Sequence, residues 1–279
     1  MKSVGGEKGF ELRMLIANLS DRQDRILGAL NQHGRVLVED LAEEFGVSTQ
    51  TIRKDLNELC QRGLASRIHG GARAGRSISN VDYEHRRQLS NEGKENVAAA
   101  AAALIPDECS IMMNIGTTTE QVARALHRHE SLVVITNNVN IISTLIGSRV
   151  KELILAGGAV RPSDGAIIGE AAVEFISRFK ADFAVIGASS IDEDGAILDY
   201  DAREVSVARA ILKNARTRIL VADATKFDRT APVRICDIAD IDVLVTDKAP
   251  SEAFMRVARD GETRVIVADN QRDGTRETV

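Results

Sequence analysis

Apolar residues recur at two rhythms along this chain of 279 residues, and the change of rhythm divides it. In the first part they keep three- and four-residue spacing. Ile26, Leu27 and Leu30 give a first helix its core face, with Ser20 and Asp21 able to cap it and Gly34 placed to end it. Val38, Leu41, Ala42 and Phe45 stripe a short second helix, which Gly46 can close in the left-handed conformation. Ser48 offers a hydroxyl to the first turn of a third helix, and Val47 and Ile52 stand where a hydrophobic staple forms. In that helix Ile52, Leu56, Leu59 and Cys60 share the inner face, and Gln50, Arg53, Lys54, Asn57 and Gln61 the outer one. Residues 64–68, with His69, Gly70 and Gly71 at the turn, read as a hairpin that brings Arg67, Arg73 and Arg76 beside the third helix.

Residues 77–90 are polar and charged, a natural linker in which Tyr83 and its neighbouring arginines read as a solvated connection. Beyond them helical and extended segments alternate. Helices are predicted over 92–104, 117–129, 139–146, 171–179, 202–214 and 251–259. Strands are predicted over 109–114, 132–136, 152–156, 183–187, 217–222, 243–246 and 263–268. The strands are short and apolar nearly throughout, as strands buried on both faces must be. This alternation implies crossover units and a mostly parallel sheet. The fold expected is therefore α/β: a winged helix-turn-helix over 21–76, then a mostly parallel-sheet domain over 91–279. Residues 1–20 read as an N-terminal extension with no secretory cleavage pattern.

Composition narrows the class. An apolar fraction of 44% excludes a disordered chain, and no apolar run reaches the length of a membrane span. Cys60, Cys109 and Cys236 are widely spaced with no metal-ligand pattern, so they read as buried free thiols in a reducing cytoplasm. Neither a metal nor a cofactor is called for. The net charge of −5 divides unevenly: residues 1–76 carry 12 basic and 10 acidic side chains, residues 77–279 carry 24 and 31. From Ser48 to Arg76 there are six basic residues against two acidic. A polyanion would attract that stretch and repel the rest.

The outer face of the third helix carries what a DNA major groove requires. Arg53 can hold guanine with two hydrogen bonds, Gln50 and Asn57 can do so for adenine, and Ser48, Thr49, Thr51 and Lys54 can grip phosphates. A plain helical hairpin with a solvated side is the bland alternative; the net positive charge and the wing, with Arg67 and His69, favour DNA. In the second part the chemistry collects where strands end. Gly116, Thr117, Thr118 and Thr119 join a glycine, three hydroxyls and a helix start, which suits a phosphate as well as it suits a capped turn. Asn137 and Asn138, Gly157 and Gly158, residues 187–190 and Lys226 end further strands, where such folds bind ligands.

VSTQTIRKDLNEL followed by RGLASRIHGGA resembles the DeoR family of bacterial transcription regulators, and IGTTTEQVARAL, VVITNNVNI, LILAGG, SDGAIIGEA and ADATKF resemble its effector domain. The family favours arginine where Lys54 stands; lysine keeps the charge but lacks the bidentate fork, which assigns phosphate anchoring to Lys54. The resemblance implies a cytoplasmic repressor, a dimer or tetramer binding paired operator half-sites. It also implies a phosphorylated small-molecule inducer, sn-glycerol 3-phosphate in particular. The rival is enzymatic, because this type of body is similar to ribose-5-phosphate isomerase. Glu204 could serve as a base or hold a ligand hydroxyl, or simply stabilise a helix start, and it lacks evident catalytic partners.

Overall fold

The computed structural model divides into two units, Met1–Ile78 and Ser79–Val279. It describes residues 19–33, 35–61, 64–68, 70–74, 83, 91–227, 229–268 and 276–277. Residues 1–18 of the predicted extension, His69, Arg76, the linker other than Tyr83 and the side chain of Arg73 lie outside the described residues.

The first unit contains α1 (Asp21–His33), β1 (Arg35–Leu37), α2 (Val38–Phe45), α3 (Thr49–Gln61), β2 (Ala65–Ile68) and β3 (Gly71–Ala74). Ile26, Leu30, Leu41, Ile52, Leu56 and Leu59 close its core. Gly46 ends α2 with φ +63°, and the amide of Val47 reaches back to the carbonyl of Ala42. One strand was not foreseen. β1 pairs with β3 in antiparallel register, Val36 opposite Ala72, making a three-stranded wing in the order β1-β3-β2. Gly71 is therefore a strand residue as well as a turn residue: a Cβ there would lie 2.0 Å from the carbonyl oxygen of Val36.

The second unit runs α4 (Asn91–Ala102), β4 (Ser110–Met113), α5 (Thr117–Ala125), β5 (Val133–Thr136), α6 (Val139–Leu145), β6 (Glu152–Leu155), β7 (Val160–Arg161), β8 (Ala166–Ile167), α7 (Glu170–Ile176) and β9 (Ala181–Ile186). It continues with β10 (Ser190–Ile191), β11 (Ala196–Asp199), α8 (Ala202–Lys213), β12 (Ala215–Val221), β13 (Val233–Asp237), β14 (Val243–Thr246), α9 (Glu252–Asp260), β15 (Arg264–Val267) and β16 (Arg276–Glu277). Among the described residues eight strands form the central sheet, in the order β16-β15-β14-β12-β9-β4-β5-β6. All pairs in it are parallel except β15 with β16.

Alternate side chains of the strands enter two cores. Ile111, Met113, Val134, Val185 and Val221 pack under α4, α5 and α6. Met112, Ile135, Ala184, Ile186 and Leu220 pack under α7, α8 and α9. Both faces are covered, which is why the strands read as unbroken apolar runs. Three short antiparallel pairings escaped that reading: β7 with β8, β10 with β11, and β11 with β13.

Candidate functional site

In the first unit, Gln50, Arg53, Lys54 and Asn57 stand exposed on α3, with Ser48 and Thr49 exposed at its start and Thr51 half-buried. Ser48 caps the helix, accepting from the amide of Thr51 at 3.2 Å. Asp55 is the functional neighbour that the sequence reading passed over, a carboxylate 5% exposed on the apolar side of α3. A charge so buried needs partners. Arg22 of α1 donates its Nε to Asp55 at 2.6 Å, and Gln23 donates to Glu58 at 2.6 Å. Gln23 also completes a reciprocal cap with Ser20, which fixes the start of α1. These bonds clamp α3 to α1 and hold the outer face in one orientation. The available signal was a charged residue between Ile52 and Leu56 on the inner stripe.

Arg67 reaches from β2 across α3. Its Nε and Nη2 donate to the side-chain oxygen of Asn57 at 3.0 and 2.5 Å, and Nη2 also donates to the carbonyl of Arg53 at 3.0 Å. The wing is thereby fastened to the helix. It also engages the Asn57 oxygen that bidentate pairing with adenine would require.

In the second unit the strand order reverses between β4 and β9: the chain builds β5 and β6 on one side, then β9, β12, β14 and β15 on the other. Ligand crevices in such sheets open at this switch point, beyond the carboxyl ends of the strands. Asn114 joins the two ends, accepting from the amide of Gly187 at 3.0 Å and donating to its carbonyl at 3.3 Å. A cleft here is lined by Ile115, Gly116, Thr117, Thr118, Gly187, Ala188 and Ser189, together with Tyr83, Asp164, Asp199, Glu204 and Lys226. Gly116 has φ +147°, a backbone that side chains resist, and hands over to α5 with no side-chain cap. Glu120 is the first residue of the helix to bond back, to Gly116 at 3.0 Å, so the preceding amides of the turn have no partner within the helix. Lys226 is buried at the end of a 3-10 turn, Ala224–Lys226, capped by Asp223. Burial alone would raise the Asp223 carboxyl, but Lys226, Thr225 and Lys94 hold it below its usual range.

Asp164, Asp199 and Glu204 bring carboxylates to the lining. Arg161 gathers three carboxylates: Asp164 at 2.8 Å, Asp201 at 3.2 Å, and Glu204. Asp199 accepts from the hydroxyl of Ser189 at 2.9 Å and the amide of Tyr200 at 2.7 Å. Burial, aided by the charge of Asp199, pushes the Glu204 carboxyl up to about 7 against the pull of Arg161. Glu204 therefore exchanges its proton near neutral pH and can donate or accept a hydrogen bond there.

Of the residues expected to hold a ligand, Gly116, Thr117, Thr118, Glu204 and Lys226 line this cleft, while Thr119, Asn137, Asn138, Gly157 and Gly158 do not. Thr119 donates its hydroxyl to the carbonyls of Asn114 and Gly116, shaping the turn from within. Asn137 donates to the carbonyl of Ile167, and Asn138 caps α6. Gly158 has φ +143°, and a Cβ there would meet Ile167 at 2.9 Å. Two expectations are corrected. Tyr83 is a buried residue of the cleft wall, not a solvated one, because Glu120 and Asn140 satisfy its hydroxyl. The three cysteines are free but half-buried, not buried; burial still pushes the Cys109 and Cys236 thiols up to about 11 and about 12, away from reactivity.

Residues 22–77 match the DeoR-like helix-turn-helix domain, and residues 89–248 match the DeoR C terminal sensor domain. The chain belongs to the DeoR family. This DeoR-family chain is 43% identical to the glycerol-3-phosphate regulon repressor of Escherichia coli K12 over 241 residues, which are 86% of the chain and 96% of that protein. It is 42% identical to the repressor of the same name from Haemophilus influenzae over 250 residues, 90% of the chain and 97% of that protein. A ribose 5-phosphate isomerase from Plasmodium falciparum is a solved structure similar to part of the chain, with a TM-score of 0.34 and 13% identity over 48% of this chain and 52% of that one. A likeness that distant bears on neither the function nor the site of this DeoR-family member. Among the described residues no helix is long and apolar enough to cross a membrane.

Proposed function

We propose that this DeoR-family chain is a cytoplasmic transcriptional repressor whose grip on operator DNA is weakened by sn-glycerol 3-phosphate. Residues 21–76 read DNA, residues 91–279 bind the effector and assemble a dimer or tetramer, and residues 77–90 join them. Gln50 and Arg53 supply base contacts, with Ser48, Thr49, Thr51, Lys54, Arg67 and His69 on the backbone. Asn57 joins the base contacts when DNA draws Arg67 to a phosphate. The observation that carries the effector reading is the pairing of chemistries in one cleft. An uncapped helix start and Lys226 suit a phosphate dianion. Asp199 and Glu204 suit the free hydroxyls of a small polyol.

We read the cleft as a sensor, not a catalyst. Glu204 has the proton affinity of a general base, but Arg161 engages it, and Asp199 is held in place by Ser189 and the Tyr200 amide on Oδ1, which leaves Oδ2 to accept from a ligand hydroxyl. The deciding experiment is an operator titration of the full chain with glycerol 3-phosphate, ribose 5-phosphate, fructose 6-phosphate and inorganic phosphate. Glycerol 3-phosphate should lower operator affinity tenfold or more, which needs only about 1.4 kcal/mol of coupling. Release by another sugar phosphate instead would overturn the inducer assignment, and isomerisation of ribose 5-phosphate well above background would overturn the sensor.

A further inference from the structure

Tyr83 belongs by sequence to the stretch that joins the two units, yet it is only 8% exposed. A buried phenol needs partners for its hydroxyl. The Tyr83 hydroxyl donates to the Glu120 carboxylate, lying 2.6 and 2.5 Å from its two oxygens, and accepts from Asn140 at 2.8 Å. Asn138 and Asn140 donate to the same carboxylate at 3.0 and 3.1 Å, and Asn140 also holds the carbonyl of Asp164 at 3.0 Å. Glu120 itself is 4% exposed and sits three residues after Thr117, in the first turn of α5. The phenol is thus anchored to the turn whose amides wall the cleft, and Tyr83 lines that cleft beside Gly116 and Thr118.

We propose that Tyr83 is the coupling residue of the cleft: it contacts the bound effector, and its hold on Glu120 is what occupation loosens. The proposal rests on the effector reading above. An effector can shift an equilibrium only through contacts that differ between the two states. A phosphate at the start of α5 offers the Tyr83 hydroxyl a second anionic acceptor in competition with Glu120, and the carbon chain of the ligand takes space bounded by the Tyr83 ring. Both weaken the bond from Tyr83 to Glu120. Because the chain runs from Tyr83 back toward the DNA-binding unit, the change is passed on covalently.

The test compares the full-length wild type with Tyr83→Phe, which keeps the ring and removes the hydroxyl. Without ligand, backbone amides of peptides covering 79–90 should exchange hydrogen at least fivefold faster in the variant, with peptides in 35–61 unaffected. Equal exchange over 79–90 overturns the proposal. With saturating glycerol 3-phosphate, the loss of operator affinity seen in the wild type should shrink to less than twofold in the variant, while calorimetry still shows the ligand bound. A variant whose operator affinity falls as many-fold on addition of glycerol 3-phosphate as that of the wild type defeats this proposal alone. A wild type that ignores glycerol 3-phosphate defeats the effector reading and the proposal with it.

Discussion

The two units place their working side chains oppositely with respect to water. On α3, Gln50, Arg53, Lys54 and Asn57 are exposed, and the buried polar chemistry of Asp55, Arg22 and Gln23 lies behind them as support. In the cleft, Thr117, Thr118, Asp199, Glu204 and Lys226 are themselves buried. The difference follows from what each would meet. A duplex arrives from outside and keeps much of its water, so the protein needs a rigid helix with projecting side chains. A small ligand must be taken out of water, and its few polar groups need desolvated, pre-placed partners that shift one another's protonation.

The largest effect should come from breaking the support of the first unit alone. Gly71→Ala drives a methyl group into the carbonyl of Val36 and separates β1 from β3. We expect a loss of about 3 kcal/mol or more from the head and no measurable operator binding. The second unit should keep its ligand-induced rise in melting temperature. A variant that loses both would show the two units to be one cooperative body.

A pair of substitutions sharpens the division of labour. Arg53→Ala should weaken operator binding by about tenfold or more, in line with about 1–3 kcal/mol for a base-reading arginine, and leave effector affinity within twofold. Thr118→Ala, in the cleft, should leave operator binding intact and raise about tenfold the glycerol 3-phosphate concentration needed for release. Equal loss of both activities in either variant would collapse the distinction.

The same contrast explains what could be read in advance. The outer face of α3 follows from helical periodicity, because one helix carries all its side chains in a known order. The parallel strands were legible as apolar runs, and their ends located the cleft through Gly116–Thr118 and Lys226. Its acidic part was only partly legible. Asp164 lies between β7 and β8 and Asp199 ends β11, ribbons of two to four residues too short for any periodicity. Arg161, which binds three carboxylates together, is on the first of those ribbons. Asn137 and Asn138 have a second use that their place at a strand end does not reveal: strand-end asparagines also serve as caps and bridges, and both are used that way. Tyr83 could not be found by pattern, since its partners Glu120 and Asn140 are 37 and 57 residues away.

Protonation gives a smaller and more specific probe of the buried site. The Glu204 carboxyl titrates near 4.5 when unfolded and at about 7 when folded. Between those values the folded chain holds a proton that the unfolded chain has lost. Stability therefore falls as pH rises from 4.5 to 7, and the penalty is complete above 7. Glu204→Gln should remove that fall, gaining stability relative to wild type by about 1–3 kcal/mol across the window. Denaturant melts at pH 5 and pH 8 measure it; an identical pH dependence in both chains would show that Glu204 is not desolvated.

The smallest effect tests whether the exposed face is as simple as exposure suggests. Arg67 engages both Asn57 and the carbonyl of Arg53 through Nε and Nη2, so a phosphate either draws it away from them or meets only its Nη1. If DNA draws it away, Arg67→Met removes one phosphate contact, the dependence of log affinity on log salt should fall by about one, and affinity at low salt by a few-fold. If Arg67 stays on Asn57 and meets no phosphate, the variant instead frees the Asn57 amide to read a base. The salt slope then stays constant while preference at one operator position changes. Measuring both the slope and the base preference separates an arginine that grips DNA from one that holds its neighbour back, a distinction exposure alone does not make.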